Sequence, residues 1–375
     1  MATNAKIFST EVENYSMSDA TLASSVFVDA SDAITFAANL LTGQGVSAED
    51  SAAIATCLVQ ADLRGVQTHG MSRLPIYVKR VERGLVNPKP SIRFHKPLAA
   101  CASLDGDNGF GFLIGIRAMR EAIKMAETCG VGVVSAYNSN HFGMAASYLL
   151  QAVSAGYFAF VFTNAAKSMP PWGGREGLFG TSPFGAAAPA GKLPPFVLDM
   201  SPAVAARGKI RLAEKRSESI PEGYALDENG QSTTDPTAAL RGVVLPIGTY
   251  KGSGISMLME ILSGVFSGAN FGGDVPDQYT EMDRPQNVGH FFMAMKPGIF
   301  VTEQGFRDRM DTLMGRVKTN PLAIGFDEIL IPGEIEARLE NERRKTGIPY
   351  ARSDLELLAK LASDYGVQEM KIKNS

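Results

Sequence analysis

The sequence is short of the signals that usually identify a function. It holds only three cysteines, Cys57, Cys101 and Cys129, too far apart for the CxxC spacing of a zinc site or redox pair. No metal site is therefore expected. Cys57 and Cys129 fall in helix-like segments, where a cysteine is usually a small buried hydrophobe. With no secretory signal, this usage points to a reducing cytoplasm. No apolar run reaches the roughly 18 residues that span a bilayer, which argues against a membrane protein. The basic residues are scattered and the formal net charge is −3, so no nucleic-acid footprint is expected either.

The familiar nucleotide cradles are missing too. A Rossmann site needs G-x-G-x-x-G directly after a strand. The nearest string, "GFGFLIG" with Gly109, Gly111 and Gly115, carries one residue too many before the third glycine. "GTYKGSG" has its lysine ahead of the last glycines, where a Walker A motif has it behind them. Neither G-x-S-x-G nor HExxH occurs.

What is present is an ordinary globular balance. Of 375 residues, 45% are hydrophobic and 20% charged, enough for a large core in two or three domains. Residues 1–28 mix polar and small side chains without a period and read as a flexible N-terminal tail. Residues 31–43 and 47–64 read as helices. Ser47 caps the second, Asp50 sits in its first turn, and Ile54, Cys57, Leu58 and Ala61 form one apolar stripe. A further helix runs from Arg73 to about Arg83.

The middle of the chain alternates strand-like and helix-like segments. "VGVVSAYN", "YFAFVFTN", "FGAAAPA", "PFVLDMS" and "GHFFMAMKP" read as strands. "FLIGIRAMREAIKMAETCG" is an amphipathic helix stopped by Gly130. "PAVAARGKIRLAEKR" reads as a helix with Pro202 in its first turn, and "YKGSGISMLMEILSGVFSG" as one entered through glycines. The last 70 or so residues are mostly helical. The class is mixed α/β, with helices at both chain ends. Residues 29–95 are expected to pack with 303–375 around a central α/β part, 96–302.

Five segments carry candidate chemistry. In "THGMSRLPIY", His69 titrates near neutrality, Thr68 can orient it, and Arg73 is a permanent carboxylate receptor with Tyr77 one turn on. An exposed helix start with scattered charge explains the same string slightly better. In "NSNHFGMAASY", Asn140, His141 and Gly143 stand at a strand-to-helix junction, where free amides collect ligands. In "VLDMSPAVAARGK", Asp199 ends a strand and could hold a ribose hydroxyl, although for Ser201 a plain helix cap is the simpler reading. "YKGSG" offers Lys251 and Gly252 for a phosphate or carboxylate, or just a solvated lysine. "IPGEIEARLE" places Glu334 in the first turn of a helix. The remaining histidines, His95 and His290, lie in strand-like segments and read as structural.

In this order, these segments resemble the malate/L-lactate dehydrogenase family that lacks a Rossmann fold. The likeness runs from about residue 30 to about residue 365, through "ADLRGVQTHGMSRL", "SNHFGMAASY", "GTSPFGAAAP", "LDMSPAVAARGKI", "IPEGYALDENG", "TTDP", "YKGSGISMLMEILSGV" and "IPGE". The resemblance implies a non-Rossmann dinucleotide-binding domain on a largely antiparallel sheet, plus a helical domain formed from both chain ends. It implies hydride transfer between nicotinamide and a small 2-hydroxy acid or 2-oxo acid of malate, lactate or sulfolactate type. The family's S-H-G histidine matches His69, with Thr68 in place of serine; its clamping arginine matches Arg73 and its aromatic Tyr77. Its second histidine matches His141, which is favoured as the acid/base. Cofactor contacts are implied at His141, Phe142 and Gly143, at Asp199, Met200 and Ser201, at Lys251 and Gly252, and at Gly333 and Glu334. The chain departs from the family at "DMSPA", where many members read D-M-A-T-S. The cofactor is NAD or NADP; no arginine pair for a 2′-phosphate is evident, which favours NAD. A homodimer is implied. Reduction of cyclic imino acids, ureidoglycolate oxidation, and a catalytically silent binding protein of the same fold are the rival readings.

Overall fold

The computed structural model describes residues 25–373. By its internal contacts the chain divides into two compact units. One takes the chain up to Lys79, Ala187–Val197 and the chain from Pro297; the other takes Arg80–Ala186 and Leu198–Lys296.

In the first unit, helices Ala30–Gly43 and Ala48–Leu63 pack together. The second is entered as its sequence predicts: the Ser47 hydroxyl accepts the Asp50 amide at 3.1 Å. Ile54, Leu58 and Ala61 of the expected stripe are fully buried. Val26–Val28 form a strand antiparallel to Ile348–Tyr350, so the end of the expected tail is paired backbone; residues 1–24 of that tail lie outside the described residues. Helices Glu303–Lys318, Glu334–Thr346 and Arg352–Tyr365 complete the unit. The short insert is tied in by Asp311, whose carboxylate accepts the Gly191, Lys192 and Leu193 amides at 3.0, 2.7 and 3.2 Å.

The second unit is built on a seven-stranded sheet. Its order is Arg93–Leu98, Cys101–Asp105, Val131–Ser139, Val288–Met295, Phe158–Thr163, Phe184–Ala188, Phe196–Met200. Val288–Met295 runs antiparallel to both its neighbours, as does Arg93–Leu98 to Cys101–Asp105; Cys101–Asp105 and Val131–Ser139 are parallel. The sheet is mixed and mostly antiparallel, as expected. Helix Gly111–Cys129 ends at Gly130 in a left-handed conformation, φ 80°, which only glycine adopts freely. A three-stranded sheet closes over a second core containing Met169, Ile210, Ala225 and Val244.

Two local readings change. The chain division falls at Lys79/Arg80, inside the helix Leu74–Glu82, and not near residue 95. Arg80 is the reason on that side: fully buried, it donates to the Gln278 carbonyl at 3.3 Å. The helix expected from Pro202 starts at Arg207. Pro202 instead lends its carbonyl to the Ile247 amide at 2.8 Å, and Ala203 bridges Pro246. Among the described residues no helix is long and apolar enough to cross a membrane.

Candidate active site

Past Leu63 the chain makes two 3-10 turns, Gln67–His69 and Met71–Arg73, before helix Leu74–Glu82. The helix begins and ends within a residue of the expected Arg73 to Arg83. Within the turn, Thr68 Oγ1 pairs with His69 Nδ1 at 2.9 Å, and Arg73 Nε donates to the Thr68 carbonyl. An imidazole, a hydroxyl and a guanidinium are thus gathered on one short segment. Thr68 is exposed, His69 and Arg73 are partly covered, and Tyr77 is buried. Burial, helped by the neighbouring Arg73 cation, lowers the His69 pKa to about 4, so the ring is neutral at physiological pH. A neutral ring orients and polarises; it is a poor proton donor.

In the second unit, His141 follows strand Val131–Ser139. Its amide donates to Gln286 Oε1 at 3.3 Å, and its Nδ1 accepts the Gly143 amide at 3.3 Å. A neutral His141 ring must therefore carry its proton on Nε2. Gly143 has φ 75°, and a Cβ there would meet the Phe112 ring at 2.4 Å. The glycine string that fails as a Rossmann motif serves this loop: a Cβ on Gly111 would lie 2.1 Å from the Asn140 carbonyl oxygen. Asn140 itself donates to Asn108 Oδ1 at 3.0 Å and to the Gly109 carbonyl at 2.9 Å.

Behind the loop stands His290, wholly buried, with Ser139 Oγ 2.8 Å from Nε2 and Thr163 Oγ1 2.7 Å from Nδ1. Burial lowers its pKa to about 3. This histidine is interior. His95 lies exposed on strand Arg93–Leu98.

The other expected contacts gather nearby in the same unit. The Asp199 carboxylate accepts the Ala146 amide at 2.7 Å, tying the end of strand Phe196–Met200 to the helix that follows His141. Ser201 does not cap a helix; its hydroxyl accepts the Ala203 amide at 3.1 Å in a local turn. The Pro202–Ile247 bond continues to Gly252, whose amide donates to the Ile247 carbonyl at 2.9 Å. Met200–Ser201 and Lys251–Gly252 are thereby drawn to one region. Thr249, just before helix Tyr250–Glu260, has φ 64° and ψ −119°, a strained conformation for a β-branched residue and a common mark of functional loops.

Gly333 and Glu334 belong to the first unit, where the neighbouring Pro332 carbonyl accepts the Val197 amide at 3.0 Å. Gly333 has φ 89° and begins helix Glu334–Thr346. The Glu334 carboxylate binds Lys318 Nζ through both oxygens at 2.7 Å, Arg338 at 2.7 Å and the Ile331 amide at 3.0 Å. Burial alone would raise its pKa, but Lys318, the Ile331 amide and Arg338 outweigh it and hold the carboxyl at about 2. Its bonds describe a structural clamp.

Sequence reasoning missed Asp62, a buried carboxylate whose Oδ2 accepts the Met71 amide at 2.9 Å and the Tyr350 hydroxyl at 2.8 Å. A signal existed. Asp62 is four residues beyond Leu58, on the apolar stripe, where a charge needs a reason.

Comparison with known proteins gives a consistent picture. Residues 28–359 match the family described as malate/L-lactate dehydrogenase. The L-sulfolactate dehydrogenase of Methanocaldococcus jannaschii is 39% identical over 86% of this chain and 92% of its own length. The malate dehydrogenase of Pyrococcus horikoshii is 36% identical over 89% and 94%. The solved structure of the M. jannaschii enzyme superposes with a TM-score of 0.87, covering 91% of this chain and 98% of that one at 37% identity.

Proposed function

The chain belongs to the malate/L-lactate dehydrogenase family, and from that premise we propose how its own residues carry out the family's chemistry. It is an oxidoreductase acting on CH–OH donors, dependent on NAD or NADP, with a small 2-hydroxy acid and its 2-oxo acid as the substrate pair. The observation that carries the site assignment is the turn that sets Thr68, His69 and Arg73 in one hydrogen-bonded group.

Arg73 takes the substrate carboxylate, and a bidentate grip fixes the reacting carbon. His141 is the acid/base: as the imidazolium it gives its Nε2 proton to the 2-oxo oxygen in reduction. In oxidation the neutral ring, with its own proton moved to Nδ1 and the Gly143 amide released, takes the hydroxyl proton on Nε2. His69, neutral and steadied by Thr68, polarises that oxygen. Buried Tyr77 backs Arg73 from the next helical turn.

The second unit's residues fit a dinucleotide. The start of helix Tyr250–Glu260 offers a positive dipole end, with exposed Lys251 beside it. Gly254, three residues on, faces open space: a Cβ there would meet nothing within 4 Å. Asp199 is an exposed acceptor for a ribose hydroxyl. The bound nicotinamide would supply or take the hydride. Met200, Ser201, Phe142, Gly143 and Gly252 shape this wall; Gly333 and Glu334 contribute through the turn they brace. NAD is favoured over NADP, since the sequence shows no evident arginine pair for a 2′-phosphate.

A cytoplasmic setting is supported by the sparse cysteine usage, three residues far apart and without CxxC spacing. A homodimer is supported by exposed apolar residues repeating along one helical segment, Tyr250, Met257, Leu258, Val265 and Phe266. Light scattering on the purified chain measures that directly. The test of function is a steady-state assay with both coenzymes against pyruvate, oxaloacetate, sulfopyruvate and piperideine-2-carboxylate. Turnover of the imino acid alone would reassign the chain to C=N reduction, and no coenzyme binding by fluorescence would leave a silent protein.

A further inference from the structure

The turn that carries His69 and Arg73 is only two short 3-10 turns, Gln67–His69 and Met71–Arg73. What holds it lies underneath, at Asp62. This residue ends helix Ala48–Leu63 and is 1% exposed. Its Oδ2 accepts both the Met71 amide and the Tyr350 hydroxyl, and its backbone carbonyl accepts Arg343 Nη1. Gly70 leaves it room, because a Cβ there would stand 1.8 Å from Asp62 Oδ1. From the same strand as Tyr350, the Pro349 carbonyl accepts Gln67 Nε2 at 3.0 Å. Strand Ile348–Tyr350 therefore grips the turn at both ends, once directly through Gln67 and once through Asp62.

Core packing alone does not call for a carboxylate here. An aliphatic side chain on the Leu58 face would fill the space without the cost of burying a charge. A buried acid bonded to the amide two residues past His69 and two before Arg73 has a more specific use. We propose that Asp62 is the positioning residue of the substrate turn: held by Tyr350, it fixes the Met71 amide and thereby the direction of the His69 imidazole and the Arg73 guanidinium. The proposal rests on the roles assigned above to His69 and Arg73.

It also gives the turn a pH dependence. Burial pushes the Asp62 carboxyl up to about 7, against the Met71 amide, the Tyr350 hydroxyl and Arg343, which lower it; Asp354 adds to the rise. The charged and titratable groups around it are thus Tyr350, Arg343 and Asp354, with Arg64 at the end of its own helix paired to Glu340 on helix Glu334–Thr346, and His69 and Arg73 on the turn itself. An ionised carboxylate is the stronger acceptor, so the hold on Met71 tightens as pH rises through neutrality.

Three variants of the full chain test this. Asp62→Ala removes the anchor, Tyr350→Phe removes its support, and Asp62→Asn keeps an acceptor oxygen but cannot titrate. For the 2-oxo acid, Asp62→Ala is expected to lose about 10²-fold in kcat/KM, the scale of a misplaced clamp, with coenzyme KM unchanged. Tyr350→Phe falls between, and Asp62→Asn restores most of the loss. Hydrogen exchange on the ligand-free protein reads the turn itself. Protection of the Met71 amide, corrected for intrinsic rate, rises across neutral pH in the natural sequence, stays flat in Asp62→Asn and is lost in Asp62→Ala. Should Asp62→Ala fail to fold, Asp62→Asn and Tyr350→Phe decide. Full kcat/KM in a folded Asp62→Ala, or an unchanged pH dependence of protection in Asp62→Asn, overturns the proposal. Exchange needs no turnover, so a chain that oxidises no 2-hydroxy acid would sink the functional reading while the exchange result still decides the role of Asp62.

Discussion

The His290 ring lies flat against Phe142, centroids 4.8 Å apart and planes within 2° of parallel. Phe142 immediately follows His141, so this stack, with the Ser139 and Thr163 hydroxyls on the two ring nitrogens, is a floor under the proposed acid/base. The floor is neutral, because burial holds the His290 pKa at about 3 against 6.5 for the free side chain. A lowered histidine pKa stabilises the fold above 6.5, and that contribution is lost as pH falls toward 3. His69 acts in the same direction down to about 4. Asp62 acts oppositely: its raised pKa gives stability that is full below 3.8 and is lost as pH rises through about 7. Thermal midpoints should therefore fall on acidification below pH 6.5, and His290→Gln, which can bond both hydroxyls without titrating, should flatten that slope. An identical slope in the variant would remove His290 from the account.

As the proposed carboxylate clamp, Arg73 would act by geometry as well as charge. Arg73→Ala should cost about 10²-fold or more in kcat/KM, the worth of a charge-assisted bidentate pair. Arg73→Lys should recover only part, since a point charge cannot reproduce the fork. Coenzyme KM should not move. Equal activity of Lys and Arg at this position would rule out a bidentate clamp.

The two candidate histidines separate by pH profile. His141→Asn removes the proton carrier and should lower kcat by about 10²- to 10⁴-fold while erasing one limb of the profile. His69→Asn should lower kcat less and leave the limbs in place, because its ring is already neutral above about pH 4. If neither change costs more than about tenfold, below the usual range for such a group, the acid/base scheme is wrong. If His69→Asn alone erases a limb, the two roles exchange.

Local patterns carried much of this into the sequence. Ser47, the stripe from Ile54 to Ala61 and the stop at Gly130 report their elements because caps and periodicity act over a few residues. Pro202 misleads for the same reason: proline suits a first helical turn, yet here it suits an extended segment equally well, and only the distant Ile247, whose amide its carbonyl accepts, decides. His69 and Arg73 were legible as types, but their anchor was not. Tyr350 lies 288 residues from Asp62, and no spacing rule links positions that far apart. Phe142 and His290 meet likewise only through the pairing of Val288–Met295 with its neighbours.

Two glycines offer the sharpest test of the second unit, because one is crowded and the other is not. At Gly111 a Cβ would press on the Asn140 carbonyl at 2.1 Å and the His141 carbonyl at 2.6 Å, both backbone atoms that cannot rotate away. Gly111→Ala should therefore destabilise the fold by about 1–3 kcal/mol, the usual cost of overpacking, and lower kcat by displacing the His141 loop. Gly254 sits inside helix Tyr250–Glu260 with open space around its missing Cβ. Gly254→Ala should raise thermal stability, by up to about 1 kcal/mol from helix propensity. If the face shared with Lys251 holds the coenzyme, the same methyl should raise coenzyme KM and spare kcat. Stabilisation without any change in coenzyme KM would move the phosphate site away from this helix start.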